Sequence, residues 1–157
     1  MRIYIAGFDV FRKDAVEYGI SCKELCASYG IGTLYPFDNE ADNAPDIFRG
    51  NLALIDACDV VCANLNAFRG EEPDSGTCFE LGYAYAKGKR LYGYLSESRT
   101  LREKLGETDK GGYCVENFGL PVNLMLGVAA TLVAGDFTAC VQKIAADFHL
   151  EREENVR

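Results

Sequence analysis

Apolar positions along the chain follow two patterns: short continuous runs bounded by turn residues, and stretches in which they recur every three or four places. Arg2 to Ala6 is a run of the first kind and predicts a buried strand, whereas Asp14 to Tyr29 carries Ala15, Tyr18, Cys22, Leu25 and Tyr29 on one face of a helix. Gly30 breaks that helix, Ile31 to Tyr35 reads as a second strand, and the polar segment Pro36 to Asn43 reads as a loop. A second helix starts near Pro45 and runs through Phe48, Leu52 and Ile55 to about Ala57; proline suits the first helical turn, where an amide would go unpaired. Asp59 to Leu65 is the third strand. Beyond the loop Asn66 to Ser75, a third helix spans Gly76 to Lys87 and is closed by Gly88 as a left-handed cap. Lys89 to Leu95 is a fourth strand, Ser96 to Lys110 a surface helix and loop, and Val128 to Val133 a fifth strand. Asp136 to Phe148 is a final helix with Phe137, Val141, Ile144 and Phe148 on one face.

Strands alternating with helices of ordinary length predict one α/β domain over residues 1–157, doubly wound in the flavodoxin or Rossmann-like manner. Its parallel sheet has about five strands, with helices on both faces. In such sheets ligands sit beyond the carboxyl ends of the strands. Three loops leave those ends: Gly7 to Arg12, Pro36 to Asn43, and Asn66 to Ser75.

Composition narrows the partners. A net charge of −8 and a pI near 4.7 exclude the basic stripe that nucleic acid or an anionic membrane surface would need. No stretch approaches the ~20 apolar residues of a membrane span, and the N-terminal run is too short for a signal peptide, so the expected location is the cytoplasm. Seven cysteines, an odd number without a Cys-x-x-Cys pair and with one histidine, His149, read as free thiols, and Cys22, Cys26, Cys58 and Cys62, set among apolar residues, as buried small hydrophobes. Neither a metal nor a cofactor is expected, and the fitting partner is a neutral small molecule.

The third loop is the richest in chemistry: Phe68-Arg69-Gly70-Glu71-Glu72-Pro73-Asp74-Ser75-Gly76. In the helix that follows, Glu80 is the only charge in the run Thr77 to Ala86, which is apolar on nearly every face. A carboxylate buried there needs an explanation, because an unpaired charge in low dielectric is expensive. One reading pairs it with Lys87 or Arg90, or turns it to solvent. The other keeps it ionised near the positive end of the helix, as a nucleophile. Asp74, six residues earlier, is either the helix cap or an acceptor for a substrate hydroxyl. The glycines Gly70, Gly76 and Gly82 do not have a phosphate-loop spacing, and Glu71, Glu72 and Asp74 would repel a phosphate.

Several segments together resemble the nucleoside 2-deoxyribosyltransferases: Ile3-Tyr4-Ile5-Ala6-Gly7; Asn51-Leu52 before Asp59; the loop Phe68 to Thr77; Glu80-Leu81-Gly82; and Phe118-Gly119-Leu120-Pro121-Val122-Asn123-Leu124-Met125-Leu126. The resemblance covers most of the chain. It implies an enzyme of nucleotide salvage that moves a 2-deoxyribosyl group between purine or pyrimidine bases, with 2'-deoxynucleosides and free nucleobases as partners. It also implies retention through a glycosyl-glutamate at Glu80, with Tyr4 orienting the carboxylate. By the same resemblance Asp74 and Asn123 hold the sugar's 5'-hydroxyl, Asn123 reaching in from a neighbouring subunit of a homo-oligomer built on dimers. Gly7, Gly76 and Met125 lie in matching segments and are assigned to the substrate site. Some family members place an aspartate where this chain has Asn51, so the proton for the departing base is expected from Asp38 or Glu40, whose competing reading is a turn cap and a solvated side chain. Two other functions share the fold: an N-glycosidase of deoxynucleoside 5'-monophosphates, which would carry serine at position 74, and a non-enzymatic nucleotide-sensing domain, which has no use for a lone buried carboxylate.

Overall fold

The computed structural model describes residues 1–152. Five strands, β1 (Arg2–Ala6), β2 (Gly32–Leu34), β3 (Val60–Asn64), β4 (Arg90–Leu95) and β5 (Thr131–Ala134), form one sheet in the order β2-β1-β3-β4-β5. All four pairings are parallel. The chain leaves β1 in one direction to β2 and then crosses back to β3, so the loops after β1 and β3 diverge and open a crevice at the carboxyl edge.

Side chains alternate across each strand, and this alternation divides the core in two. Ile3, Ile5, Val60, Cys62, Tyr92 and Tyr94 point to the face covered by α1 (Ala15–Ala27) and α6 (Phe137–Asp147), where they meet Cys22, Cys26, Cys140, Val141 and Ile144. Tyr4, Ala6, Val61, Ala63, Leu91 and Leu95 point to the other face. There α2 (Ala44–Ala57) and α3 (Ser75–Ala86) bring Ile55, Leu81 and Ala84. The helices begin where short polar side chains take up free amides: Asn43 accepts from Asp46 N, Asp74 from Thr77 N and Asp136 from Ala139 N.

Two expectations are corrected. The segment Val128 to Ala130 is not strand: Leu124–Ala129 forms the short helix α5, capped by Asn123, and β5 begins at Thr131. A six-residue helix has too few turns to display a period, and its Leu-Met-Leu run reads equally well as a buried strand. The second correction concerns α3, which is not buried all round. Thr77, Leu81 and Ala84 are buried, while Phe79 is 53% and Tyr85 64% exposed. The surface segment after β4 contains α4 (Leu101–Leu105), closed at its start by a reciprocal pair of hydrogen bonds between Thr100 and Glu103. Among the described residues no helix is long and apolar enough to cross a membrane.

Ile144 is fully buried between α6 and the sheet, on the face away from Glu80. Ile144→Ala is expected to cost about 2–5 kcal/mol of stability in urea denaturation, with an unchanged far-ultraviolet spectrum. A loss well under 1 kcal/mol (roughly that of a surface change) would mean that α6 does not pack as described.

Candidate active site

Tyr4 sits in the middle of β1, with none of its surface exposed, on the face that carries α2 and α3. Its hydroxyl donates to Glu80 Oε1 at 2.7 Å. Asn51, from α2, donates from Nδ2 to the same oxygen at 3.4 Å. Among the described residues no group donates to Oε2, which leaves one carboxylate oxygen held and the other free. The pairing of Glu80 with Lys87 or Arg90 does not occur. Lys87 is bridged to Asp56 at 3.1 Å, and the Arg90 guanidinium lies over the Phe148 ring.

Burial pushes the Glu80 carboxyl up to about 7; the Tyr4 and Asn51 hydrogen bonds pull the other way, and the charge of Asp74 adds to the rise. The pull of the helix end toward the ionised form is thus offset by burial, and both forms of Glu80 are accessible near neutral pH. In the second turn of α3 desolvation outweighs what the helix dipole supplies, which falls off within the first turn. The Tyr4 hydroxyl is itself pushed up by burial and by Glu80, so it remains a donor.

Glu80 lines a cavity of about 320 Å³ at the crevice, and all three strand-end loops contribute to it. Gly7, Val10 and Phe11 come from the first, Pro36, Phe37, Asn39 and Ala41 from the second, and Asp74 from the third, with Ile47, Asn51, Gly76 and Thr77 completing the wall. Gly7 is required by close approach: a Cβ there would lie 2.8 Å from the Asn64 Cβ. Asp74 divides its oxygens. Oδ2 accepts from the amide and the hydroxyl of Thr77 at 2.9 and 3.0 Å, while Oδ1 has no donor among the described residues. One carboxylate is thus placed to cap the helix and still accept from a bound hydroxyl. Among the described residues no lysine or arginine lines this cavity, and Asp74 and Glu80 are the only ionisable groups on its wall.

Of the residues singled out in the sequence, Tyr4, Glu80, Asn51, Asp74, Gly7 and Gly76 come together here. Asp38 and Glu40 do not line the cavity. Asp38 accepts from the amide of Tyr35 at 2.9 Å and is paired with Lys23, closing the 3-10 turn Pro36–Asp38, so it takes the turn-cap role. Asn123 and Met125 lie on the other flank of α3, in a separate apolar groove of about 510 Å³ with Leu81, Tyr85 and Val128. Asn123 donates to Glu116 Oε2 at 3.0 Å, and Met125 is 73% exposed. Sequence reasoning missed the apolar wall of Val10, Phe11, Phe37 and Ile47. Its only signal was large apolar residues beside polar turns: Phe11 and Phe37 lie in 3-10 turns and Ile47 in the first turn of α2, and all three remain 40–59% exposed.

The family model for nucleoside 2-deoxyribosyltransferases matches residues 3–125. A solved 2-deoxyribosyltransferase from Leishmania mexicana is 41% identical and superposes with a TM-score of 0.85, covering 95% of this chain and 99% of that one. An uncharacterized protein of Schizosaccharomyces pombe is 34% identical over 113 residues; these are 66% of this chain and 54% of that protein, so the chain spans about half the length of that relative. A CMP N-glycosidase from Clostridium botulinum, 16% identical with a TM-score of 0.54, covers 93% of this chain and 99% of its own, and shares the fold.

The raised Glu80 carboxyl has a consequence for stability. Between about 4.5, its ordinary value, and about 7, the unfolded chain has released this proton while the folded chain still holds it. The contribution is therefore fully present below 4.5 and is lost as pH rises through 7. Glu80→Gln, which cannot ionise, is expected to gain in thermal midpoint relative to the parent across that window, and Tyr4→Phe to move the Glu80 titration, followed by carboxyl-labelled NMR, to higher pH. A parent and Glu80→Gln difference that stays constant from pH 4 to 8 would refute the shift.

Proposed function

The chain belongs to the nucleoside 2-deoxyribosyltransferase family, and from that premise we propose that it moves a 2-deoxyribosyl group between nucleobases by way of a covalent bond to Glu80. The observation that carries this reading is the geometry of Glu80: one oxygen gripped by Tyr4 and Asn51, the other unpartnered in a cavity walled by three loops.

In the first half-reaction Glu80 Oε2 attacks C1' of the deoxynucleoside from the face opposite the base. The C1'–N bond breaks, its electron pair leaves with the base, and the base takes up a proton. In the second, a nitrogen lone pair of the incoming base attacks C1' from the vacated face, Oε2 departs as carboxylate, and the proton of that base is released to solvent, balancing the one taken up in the first. Two inversions give net retention. Tyr4 and Asn51 fix the carboxylate plane, so the attacking oxygen needs no reorganisation. As a neutral amide, Asn51 cannot supply the proton. Asp38 is spent on Lys23, Glu40 lies outside the cavity and Asp74 is committed to the helix cap and the sugar hydroxyl, so the proton for the departing base arrives from solvent.

Asp74 Oδ1 suits a neutral 5'-hydroxyl. A 5'-phosphate would meet Asp74 and no cation, which favours nucleosides over nucleotides although a CMP N-glycosidase shares the fold. The apolar wall of Phe11, Phe37 and Ile47 suits the face of a base. Asn123 and Met125 lie across α3 from Glu80, so within this reading they serve the cavity of a second copy, docked through the exposed Phe48, Phe79, Tyr85, Met125 and Val128.

Incubation with deoxyinosine and free adenine is expected to yield deoxyadenosine and hypoxanthine, at a rate that rises with pH through about 7 as Glu80 ionises. Intact-mass analysis with deoxyinosine alone is expected to show a fraction of chains heavier by one deoxyribosyl group. Glu80→Ala should abolish both signals with the fold retained, and transfer by a well-folded Glu80→Ala would exclude the covalent route. Mixing inactive Glu80→Ala with inactive Asn123→Ala is expected to restore part of the activity, because a mixed dimer holds one complete site; no recovery from a mixture shown to exchange subunits would place Asn123 outside the site.

A further inference from the structure

Asp9 has no part in the reaction described, yet it is 94% buried, and among the described residues neither lysine nor arginine is bridged to it; the nearby Arg12 is paired with Asp14. Holding a carboxylate this way is costly unless its hydrogen bonds are put to use. Its partners are specific. Asp9 Oδ2 accepts from Asn64 Nδ2 at 2.8 Å and, at the limit of hydrogen bonding, from the Tyr94 hydroxyl at 3.5 Å. Asn64 Oδ1 in turn accepts from the backbone amide and the side chain of Asn66 at 3.1 and 2.7 Å. Asn66 Oδ1 accepts from the amide and hydroxyl of Ser96 at 2.9 and 2.8 Å. A chain of polar groups thus runs across the carboxyl ends of β1, β3 and β4, opening on a cavity of about 900 Å³ that shares no residue with the one holding Glu80.

What hangs from this chain is the catalytic cavity. Asp9 lies in the 3-10 turn Phe8–Phe11, and Gly7, Val10 and Phe11 on either side of it line the space above Glu80. Asn66 begins the loop that ends at Asp74. The two loops meet a second time through aromatic rings: Phe68 stacks on Phe8 and Phe11 with centroids 4.7 and 5.4 Å apart, and the Arg69 guanidinium lies over Phe68 and Phe11. The stack is at the surface, with Phe11 59% exposed, whereas the Asp9–Asn64 bond is buried. The buried pair is the anchor of the two.

We infer that Asp9 is a positioning residue: from a separate cavity, through Asn64 and Asn66, it sets the separation of the two loops that wall the Glu80 cavity, and so the fit of the deoxynucleoside. This rests on the reading of that cavity as the deoxynucleoside site. Because Asp9 touches the walls and not Glu80, its loss loosens substrate binding more than it slows the chemical step.

The test compares the full chain with Asp9→Ala, Asp9→Asn, Asn64→Ala and the double variant Asp9→Ala/Asn64→Ala. Transfer from deoxyinosine to adenine is followed across pH, and amide hydrogen exchange by mass spectrometry. Asp9→Ala and Asn64→Ala are each expected to raise KM for deoxyinosine about tenfold with a much smaller change in kcat. Both should leave the acidic limb of the pH profile in place and speed exchange in residues 7–12 and 66–74 together. The double variant should be no worse than either single one, because both cut the same link. Asp9→Asn should recover most of the loss, since its amide oxygen still accepts from Asn64. A lower Tm with KM unchanged, an additive double variant, or faster exchange confined to residues 7–12 would overturn the inference, and if Asp9→Ala does not fold, Asn64→Ala decides it by the same KM and exchange criteria. If the parent transfers no deoxyribosyl group, the reading of the cavity fails, and the paired exchange response alone decides whether Asp9 anchors both loops.

Discussion

The hydrogen bond from Tyr4 to Glu80 joins the centre of the sheet to α3, and the rest of the site is arranged around it. A carboxylate in that position is opposed by desolvation, which alone would keep it protonated at neutral pH. Two donors on one oxygen offset part of that penalty and hold its titration near 7, where the ionised form is accessible. A hydrogen bond to a charged group contributes about 1.5–3 kcal/mol, enough to matter against burial but not to cancel it. Under the proposed reading the compromise suits a nucleophile that must ionise in order to attack and must also be a competent leaving group in the second half of an exchange.

Tyr4 reaches Glu80 because strand side chains alternate. With Ile3 and Ile5 committed to the face of α1 and α6, Tyr4 is committed to the face of α2 and α3. A one-residue slip of β1 against β3 would move the hydroxyl to the wrong side of the sheet. The parallel pairing of Ile3 with Val60 and Tyr4 with Val61 resists that slip, since both neighbours are buried on matching faces. Catalytic geometry is thus inherited from core packing. The loops are less constrained, and they are tied together twice, by a surface aromatic stack and by a buried polar chain.

The same scaffold serves a transferase from Leishmania mexicana and, at much lower identity, a CMP N-glycosidase. What separates such chemistries is local. Here the cavity offers a carboxylate at Asp74 and, among the described residues, no cation, so under the proposed reading a charged 5' substituent is disfavoured by repulsion.

The alternation of the five strands with the longer helices, and the isolation of Glu80 as a charge among apolar neighbours, are legible in the sequence alone. Periodicity and turn residues act over a few positions, and that range was enough. It placed Asp74 before the third helix with two open roles, and the structure gives each of its oxygens a different circumstance. The fifth strand was misjudged because α5 is too short to show a period. The loop that carries Asp38 and Glu40 borders the cavity, but which of its side chains face inward depends on partners distant in sequence, such as Lys23 for Asp38. The raised titration of Glu80, the apolar wall from two loops and α2, and the link from Asp9 to Asn64 arise only in the folded chain. Each depends on burial and on contacts between segments far apart in the chain, up to 76 residues for Tyr4 and Glu80.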